Sequence, residues 1–369
     1  MLRTLYILAL ASLWSLALAG GKRKHGLDPL EARAGHYTSR RALADILKKA
    51  RDEGLPDAIS RSTLDRDRAR FCHDPTPYGP LVETFSLDLP NGPHEIGAAP
   101  PAAWLWHLCN AGGRFAALMH ERLTLHPATY ATPWNMIFYT DEVSPTDPLK
   151  AGEDTRETQA IYYSFAQLGQ EALANEYAWH VLATVRSSIC NKLDGGLSTV
   201  VRELLERYVF NPDRFHLAQA GVLLPFGRNP VPFHASFGWT LADEKALKQL
   251  WCCFGASGVR CCPLCSNVVS KRTFLREVPG LVCITCLDVA QMRLHTPGTL
   301  RGVLARLGEA YNTYSNTAYA NLEKINGWHW QPTSLLSSPT LKLDGIDQMM
   351  FDWNHIYLCK GIFGVEVGR

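Results

Sequence analysis

Asn135-Met136-Ile137-Phe138-Tyr139-Thr140 is a run of aromatic, β-branched and long apolar side chains that stops at Asp141-Glu142. So short and continuous an apolar run reads as a strand buried on both faces. Working outward, Ile161-Tyr162-Tyr163-Ser164-Phe165 and His180-Val181-Leu182-Ala183-Thr184-Val185 repeat the pattern. Leu197–Phe210 then places Val200, Val201, Leu204, Leu205 and Tyr208 at helical spacing. A further strand-like stretch, Val231–Leu241, runs into Asp243, and Glu244–Trp251 turns helical again.

Three strands, a helix, a fourth strand and a helix is the opening order of a ribonuclease-H-like fold. The predicted class is therefore α/β (α+β): a mixed sheet with flanking helices, a zinc-binding cysteine insertion and a helical N-terminal region. In that architecture the first and fourth strands lie side by side, so acids at their ends converge. Carboxylates on rigid strand ends can share divalent cations, which activate the attacking water or hydroxyl and stabilise the leaving oxygen of a phosphodiester. Oxygen ligands suit Mg2+ or Mn2+. Asp141 and Asp243 meet that need, although an aspartate at a strand end also serves as a turn or helix cap. Later, Met349-Met350-Phe351-Asp352-Trp353-Asn354-His355-Ile356-Tyr357 and Glu366 offer Asp352, His355 and Glu366 as candidates for a third metal-proximal group. Alternatively they are incidental polar residues at a helix end.

The chain has 11 cysteines, an odd number, and seven of them fall between positions 252 and 286. A disulfide scaffold would spread an even number over a short chain. Cys262-Pro263-Leu264-Cys265 is followed after 17 residues by Cys283-Ile284-Thr285-Cys286, a spacing expected of a four-thiolate structural zinc site. Cys252, Cys253 and Cys261 are surplus thiols, and His295 can replace one of the second pair. Buried reduced thiols are the alternative to zinc.

With 46% hydrophobic residues, 20% charged residues and a net charge of +2, the composition is that of an ordinary globular protein, and nothing in it points to disorder, collagen or a membrane bundle. Near neutrality also means that any nucleic-acid footprint is local. Residues 21–70 carry one such basic excess, and within them a helix is capped by Thr38-Ser39 and stopped by Gly54 and Pro56. It suits phosphate contacts or plain packing. Ahead of it, Arg3, the apolar run Leu5–Ala19 and Ala17-Leu18-Ala19 before Gly20 have the form of a secretory signal peptide. The expected organisation is a leader over 1–19, a basic helical region over 20–72, a Pro/Gly-rich linker and helix over 73–130, and the core over 131–369, with the zinc insertion at about 252–296.

Phe138-Tyr139-Thr140-Asp141-Glu142-Val143, Phe237-Gly238-Trp239-Thr240-Leu241-Ala242-Asp243-Glu244, Gly258-Val259-Arg260-Cys261-Cys262-Pro263-Leu264-Cys265 and Phe351-Asp352-Trp353-Asn354-His355-Ile356 together resemble the transposases of CACTA and Plavaka-like elements, from about residue 36 onward. In that family an aspartate precedes a glycine-rich stretch and a Cys-Pro-x-Cys knuckle, and an Asp-x-x-His element comes late. The resemblance implies a divalent-metal DNA nuclease and strand transferase of the DDE type, with DNA as partner, homo-oligomerisation, a nuclear location and no small-molecule cofactor. A truncated or decayed copy of a mobile element with an unrelated first exon accounts for the leader, the ambiguous third acid and the early stop. The competing expectations are a non-catalytic zinc-containing DNA-binding or interaction protein derived from a transposase, and a secreted protein that meets a membrane only through its leader.

Overall fold

The computed structural model of the chain describes residue 66 and residues 69–143, 157–227 and 229–352. The chain divides into two units, Met1–Asp74 and Pro75–Arg369, and the sheet, its helices and both candidate sites lie in the second. The leader, nearly all of the basic region, His355 and Glu366 fall outside the described residues.

Among the described residues seven strands make one mixed sheet. The first five are β1 (Glu83–Leu89), β2 (Gly92–Ala98), β3 (Trp134–Val143), β4 (Thr158–Phe165) and β5 (His180–Arg186). A hairpin of β6 (Val222–Leu224) and β7 (Val231–Phe233) stands apart from it, and β8 (Ala235–Ala242) rejoins it. In the cysteine region, β9 (Val268–Val269) and β10 (Val282–Cys283) pair with each other, and β11 (Met349–Phe351) closes one edge of the main sheet. The order across that sheet is β11-β8-β3-β4-β5-β2-β1. β11, β8 and β3 run parallel, and β4, β5, β2 and β1 are joined by antiparallel pairings.

The centre of the sheet is where its sequence is most continuously apolar. Trp134, Met136 and Phe138 on β3 and Ile161, Tyr163 and Phe165 on β4 are all fully buried or nearly so. That is why these strands lack the alternation of a half-exposed sheet. Residues 73–101, whose Pro and Gly density reads as loop and short strand, supply the β1–β2 hairpin. Its breakers fit because Pro90 and Asn91 form the turn and Pro93 sits on a half of β2 that pairs only with β1. A proline missing its N–H is tolerated at such a position.

Among the described residues, the helices longer than a single turn are α1 (Pro101–Ala111), α2 (Arg114–Leu125), α3 (Leu197–Leu204), α4 (Glu244–Trp251), α5 (Pro297–Tyr311) and α6 (Asn316–Asn326). The one helix expected within 73–130 is two helices, because Gly112 (φ 73°) and Gly113 (φ 87°) take left-handed backbone between them. Past Leu204, α3 widens into a π-turn over Leu205–Val209. Trp251, at the end of α4, is fully buried; its indole N–H donates to Thr240 Oγ1 at 2.8 Å, and that hydroxyl donates to the Gln348 carbonyl at 3.0 Å. Helix α4, strand β8 and the turn that leads into β11 are thereby tied together beneath the strand ends that carry the acids.

Candidate functional site

Register decides where the acids stand. Between β8 and β3, Phe237 pairs with Met136, but the next pairs are Trp239 with Ile137, Thr240 with Phe138 and Leu241 with Tyr139. Gly238 is the extra residue, a bulge in β8. Its backbone lies so close to β3 that an added Cβ would come within 2.7 Å of the Met136 carbonyl oxygen and 2.9 Å of Asn135 Cβ. Only glycine fits such an approach. Continuing the final register by two residues sets Asp243 opposite Asp141; without the bulge Ala242 would stand there. On the other side of β8, Ala242 pairs with Phe351, and one residue on Asp352 stands beside Asp243. The Asp352 N–H donates to the Ala242 carbonyl at 2.9 Å. Asp243 and Asp352 thus stand one residue past the ends of β8 and β11, and Asp141 lies two residues before the end of the neighbouring β3; all three are half-buried.

Two of these carboxylates already have backbone work. Asp243 is the N-cap of α4 and accepts from the Ala246 N–H at 2.7 Å, satisfying one of the first-turn donors. Asp141 Oδ1 accepts from the Glu142 N–H at 2.8 Å. Among the described residues, no three His, Cys, Asp or Glu side chains converge on a point that could hold a metal ion.

Aromatic groups flank the acids, and nothing in the sequence pattern had singled them out. Burial pushes the Tyr139 phenol well up, the charges of Asp141 and Asp352 add to it, and the hydroxyl is hydrogen-bonded to Asp141. Tyr162 is raised by burial and then by Asp141. Tyr139 also meets the Tyr162 and Trp179 rings, each at 6.1 Å between centroids. The shared influence of Asp141 and Asp352 on one phenol brings these two acids into one electrostatic neighbourhood.

Glu142 belongs to a separate network. It accepts from Ser187 Oγ at 2.6 Å, Gln159 Nε2 at 3.1 Å and Lys245 Nζ at 2.5 Å. Burial opposes its ionisation, but the hydrogen bonds from Lys245 and Ser187 outweigh that and hold the carboxyl below its ordinary range. Its role is to tie α4 to β3.

No protein-family model and no curated protein matches this chain.

The cysteine cluster sits between α4 and α5. All ten described cysteines are free thiols. Cys261, Cys265 and Val268 form a small core of their own, with Cys262 and Met292 packed against it. The Cys265 thiol is pushed up to about 12 by burial, then by its hydrogen bond with Cys262 and the nearby charges of Cys262 and Cys261. Cys261 is raised by burial and also feels Cys262 and Cys283. Cys283 moves down, chiefly through the hydrogen bond from Thr285 Oγ1 at 3.2 Å. Cys286 is two residues from Asp288, whose carbonyl lies 3.7 Å from its sulfur. The turn holding Cys262 and Cys265 is therefore compact, and Cys261, a surplus thiol in the sequence, lies within electrostatic reach of both halves of the motif. His295 is buried; its backbone N–H donates to the Leu264 carbonyl at 2.8 Å and its Nδ1 lies 3.1 Å from Thr299 Oγ1. Burial and the Arg260 charge push this imidazole down to about 4, so it is neutral at pH 7.

Proposed function

We propose that the chain is a transposase-derived, ribonuclease-H-like nuclease and strand transferase acting on DNA in the nucleus, with a zinc-stapled insertion. The observation that carries this reading is that Asp141, Asp243 and Asp352 stand side by side near the C-terminal ends of three adjacent parallel strands. The strand order supports the same fold, since the first and fourth core strands, β3 and β8, are neighbours and parallel. Carboxylate oxygens on strand ends about 4.8 Å apart suit hard divalent cations. Bound there, Mg2+ or Mn2+ would supply an activated oxygen nucleophile and a counter-charge for the leaving oxygen. Asp141 and Asp243 hold the ions, Asp352 or Glu366 completes the set, and the Tyr139 hydroxyl orients Asp141.

The insertion has the donors for structural zinc. Its core consists largely of thiols, and a module that small needs a staple in place of apolar burial. Thiols that oppose one another's ionisation are the arrangement a soft-ligand cation stabilises. Cys262, Cys265, Cys283 and Cys286 are the ligands, with Cys261 or His295 the substitute for one of them.

A second reading, a non-catalytic DNA-binding or interaction protein that retains the fold, is favoured by the backbone hydrogen bonds that occupy Asp141 and Asp243. One experiment separates the two. The full chain is incubated with supercoiled DNA in Mg2+, Mn2+ or Ca2+, beside Asp141→Asn, Asp243→Asn and Asp352→Asn. Catalysis predicts nicking in Mg2+ and Mn2+ but not Ca2+, and a loss of orders of magnitude in the first two variants. Equal nicking by all proteins overturns the assignment of these acids, and an inert wild type establishes the binding module.

A further inference from the structure

Between the cysteine cluster and α5 lies an open cleft of about 550 Å3. Arg260, Arg293 and Arg306 all line it, along with His295, Thr299 and Asn267, and its lining contains no Asp or Glu. Among the described residues no carboxylate forms an ion pair with any of these three arginines. The contrast with Arg301, on the same helix as Arg306, is direct: Arg301 is paired with Asp344 at 3.2 Å. Arg260 is the most enclosed. One of its terminal nitrogens donates to the Ser266 carbonyl, yet its Nε is buried with no partner, and the Arg306 charge bears on it.

Like charges gathered without acids cost free energy, which a fold sustains where an anion offsets it. The walls are also braced in advance. Asn267 Nδ2 donates to the carbonyls of Gly280 and Gln291 at 3.1 and 2.9 Å, and its Oδ1 accepts from the Arg293 N–H at 2.8 Å. Ser266 is bonded to the Arg293 carbonyl as well. Along α5, Thr299, Gly302 and Arg306 fall on one stripe facing the cleft, following the spacing of three and four residues. Gly302 has nothing within 4 Å of where a Cβ would stand, so no packing contact demands it. A glycine inside a helix costs roughly 1 kcal/mol relative to alanine; at this position it keeps the floor of the cleft open.

We propose that this cleft is an oxyanion site that takes a phosphate group, with Arg293 and Arg306 gripping its oxygens and Arg260 supplying charge from beneath. Guanidinium forks match phosphate oxygens bidentately. The volume is that of a site for a phosphate with an organic group attached rather than for a bare ion. The phosphate has two chemical sources, a phosphodiester within a nucleic-acid strand or a free nucleotide, and neither depends on whether Asp141 and Asp243 are catalytic.

The test uses the full chain carrying Asp141→Asn, without divalent metal, so that cleavage plays no part. Fluorescence anisotropy follows a labelled dT12 oligonucleotide, and thymidine monophosphate and pyrophosphate serve as competitors. Arg293→Gln and Arg306→Gln, both at exposed positions, should each weaken binding about tenfold, as loss of a charge-assisted contact does. Each should also reduce the slope of log affinity against log salt by about one. Arg301→Gln, whose charge is already paired, should stay within about twofold of the parent. Displacement of dT12 by the small phosphates at comparable concentration assigns a free nucleotide; binding of dT12 alone assigns the phosphodiester strand. No binding of any probe, or equal affinity in the Arg293 and Arg306 variants and the parent, overturns the proposal.

Discussion

Ala242 accepts a hydrogen bond from the backbone of Asp352 at 2.9 Å, across more than a hundred residues of intervening chain. This bond brings an acid from the far end of the described chain beside Asp243, whose position opposite Asp141 is set by the pairing of β8 with β3. The intervening residues include the whole cysteine cluster and the arginine cleft. They form an excursion between two adjacent strands of one sheet.

Asp243 has a structural duty and a proposed chemical one, and two substitutions separate them. Asn is as good an N-cap as Asp, so Asp243→Asn should keep the stability of the parent within a few tenths of a kcal/mol while nicking disappears. Asp243→Ala loses both, with a stability loss of about 1 kcal/mol. Urea unfolding of the three proteins beside the nicking assay reads both effects. A nicking-competent Asp243→Asn protein would leave the residue only its cap.

Gly238 should tolerate no side chain. Gly238→Ala places a methyl 2.7 Å from the Met136 carbonyl oxygen, and the strands must part or slip to admit it. A loss of about 1–3 kcal/mol is expected from such overpacking. If the strand slips by one residue, Ala242 replaces Asp243 opposite Asp141 and nicking falls further than stability does. Denaturant midpoints equal to those of the parent would show that the bulge does not depend on glycine.

Zinc should be present at about one ion per chain in protein purified under reducing conditions, and should be lost in the Cys262→Ser, Cys265→Ser double variant, since a hydroxyl is a poor ligand for this ion. The insertion exposes Phe274 at 89% and Leu287 at 97%, so little apolar burial is left to hold it when the metal goes. Limited proteolysis should then cut within residues 255–296 while the sheet survives. Metal analysis finding no zinc in the parent protein would remove the site.

His180 should make stability fall in mild acid. The ring is buried against Phe115 and Tyr163, its Nε2 has no hydrogen-bond partner, and burial lowers it from 6.5 to about 4. The folded protein therefore binds fewer protons at this site than the unfolded chain does. Its contribution is complete above pH 6.5 and drains away as pH falls toward 4, by on the order of 3 kcal/mol. His180→Leu should flatten that decline when urea midpoints at pH 7.5 and 5 are compared. An identical decline in parent and variant would place the acid sensitivity elsewhere.

The strand runs around Phe138, Tyr163 and Leu182, the helix after Asp243 and the two Cys-x-x-Cys turns were legible in the sequence because each depends on neighbours within a few residues. Apolar continuity, a capping aspartate and thiol spacing are local properties. The break between α1 and α2 was written in Gly112-Gly113 but was masked by the apolar positions on either side. What the sequence could not decide was register. Whether Asp141 faces Asp243 or Ala242 turns on a single extra residue at Gly238, and whether Asp352 joins them turns on a backbone bond to Ala242. Tyr139 and Tyr162 beside Asp141, and Arg260, Arg293 and Arg306 around one cleft, are likewise products of long-range pairing. Their side chains look like ordinary strand aromatics and scattered surface cations until the chain folds, because the energy that assembles them is the burial of the sheet and not any preference of their own.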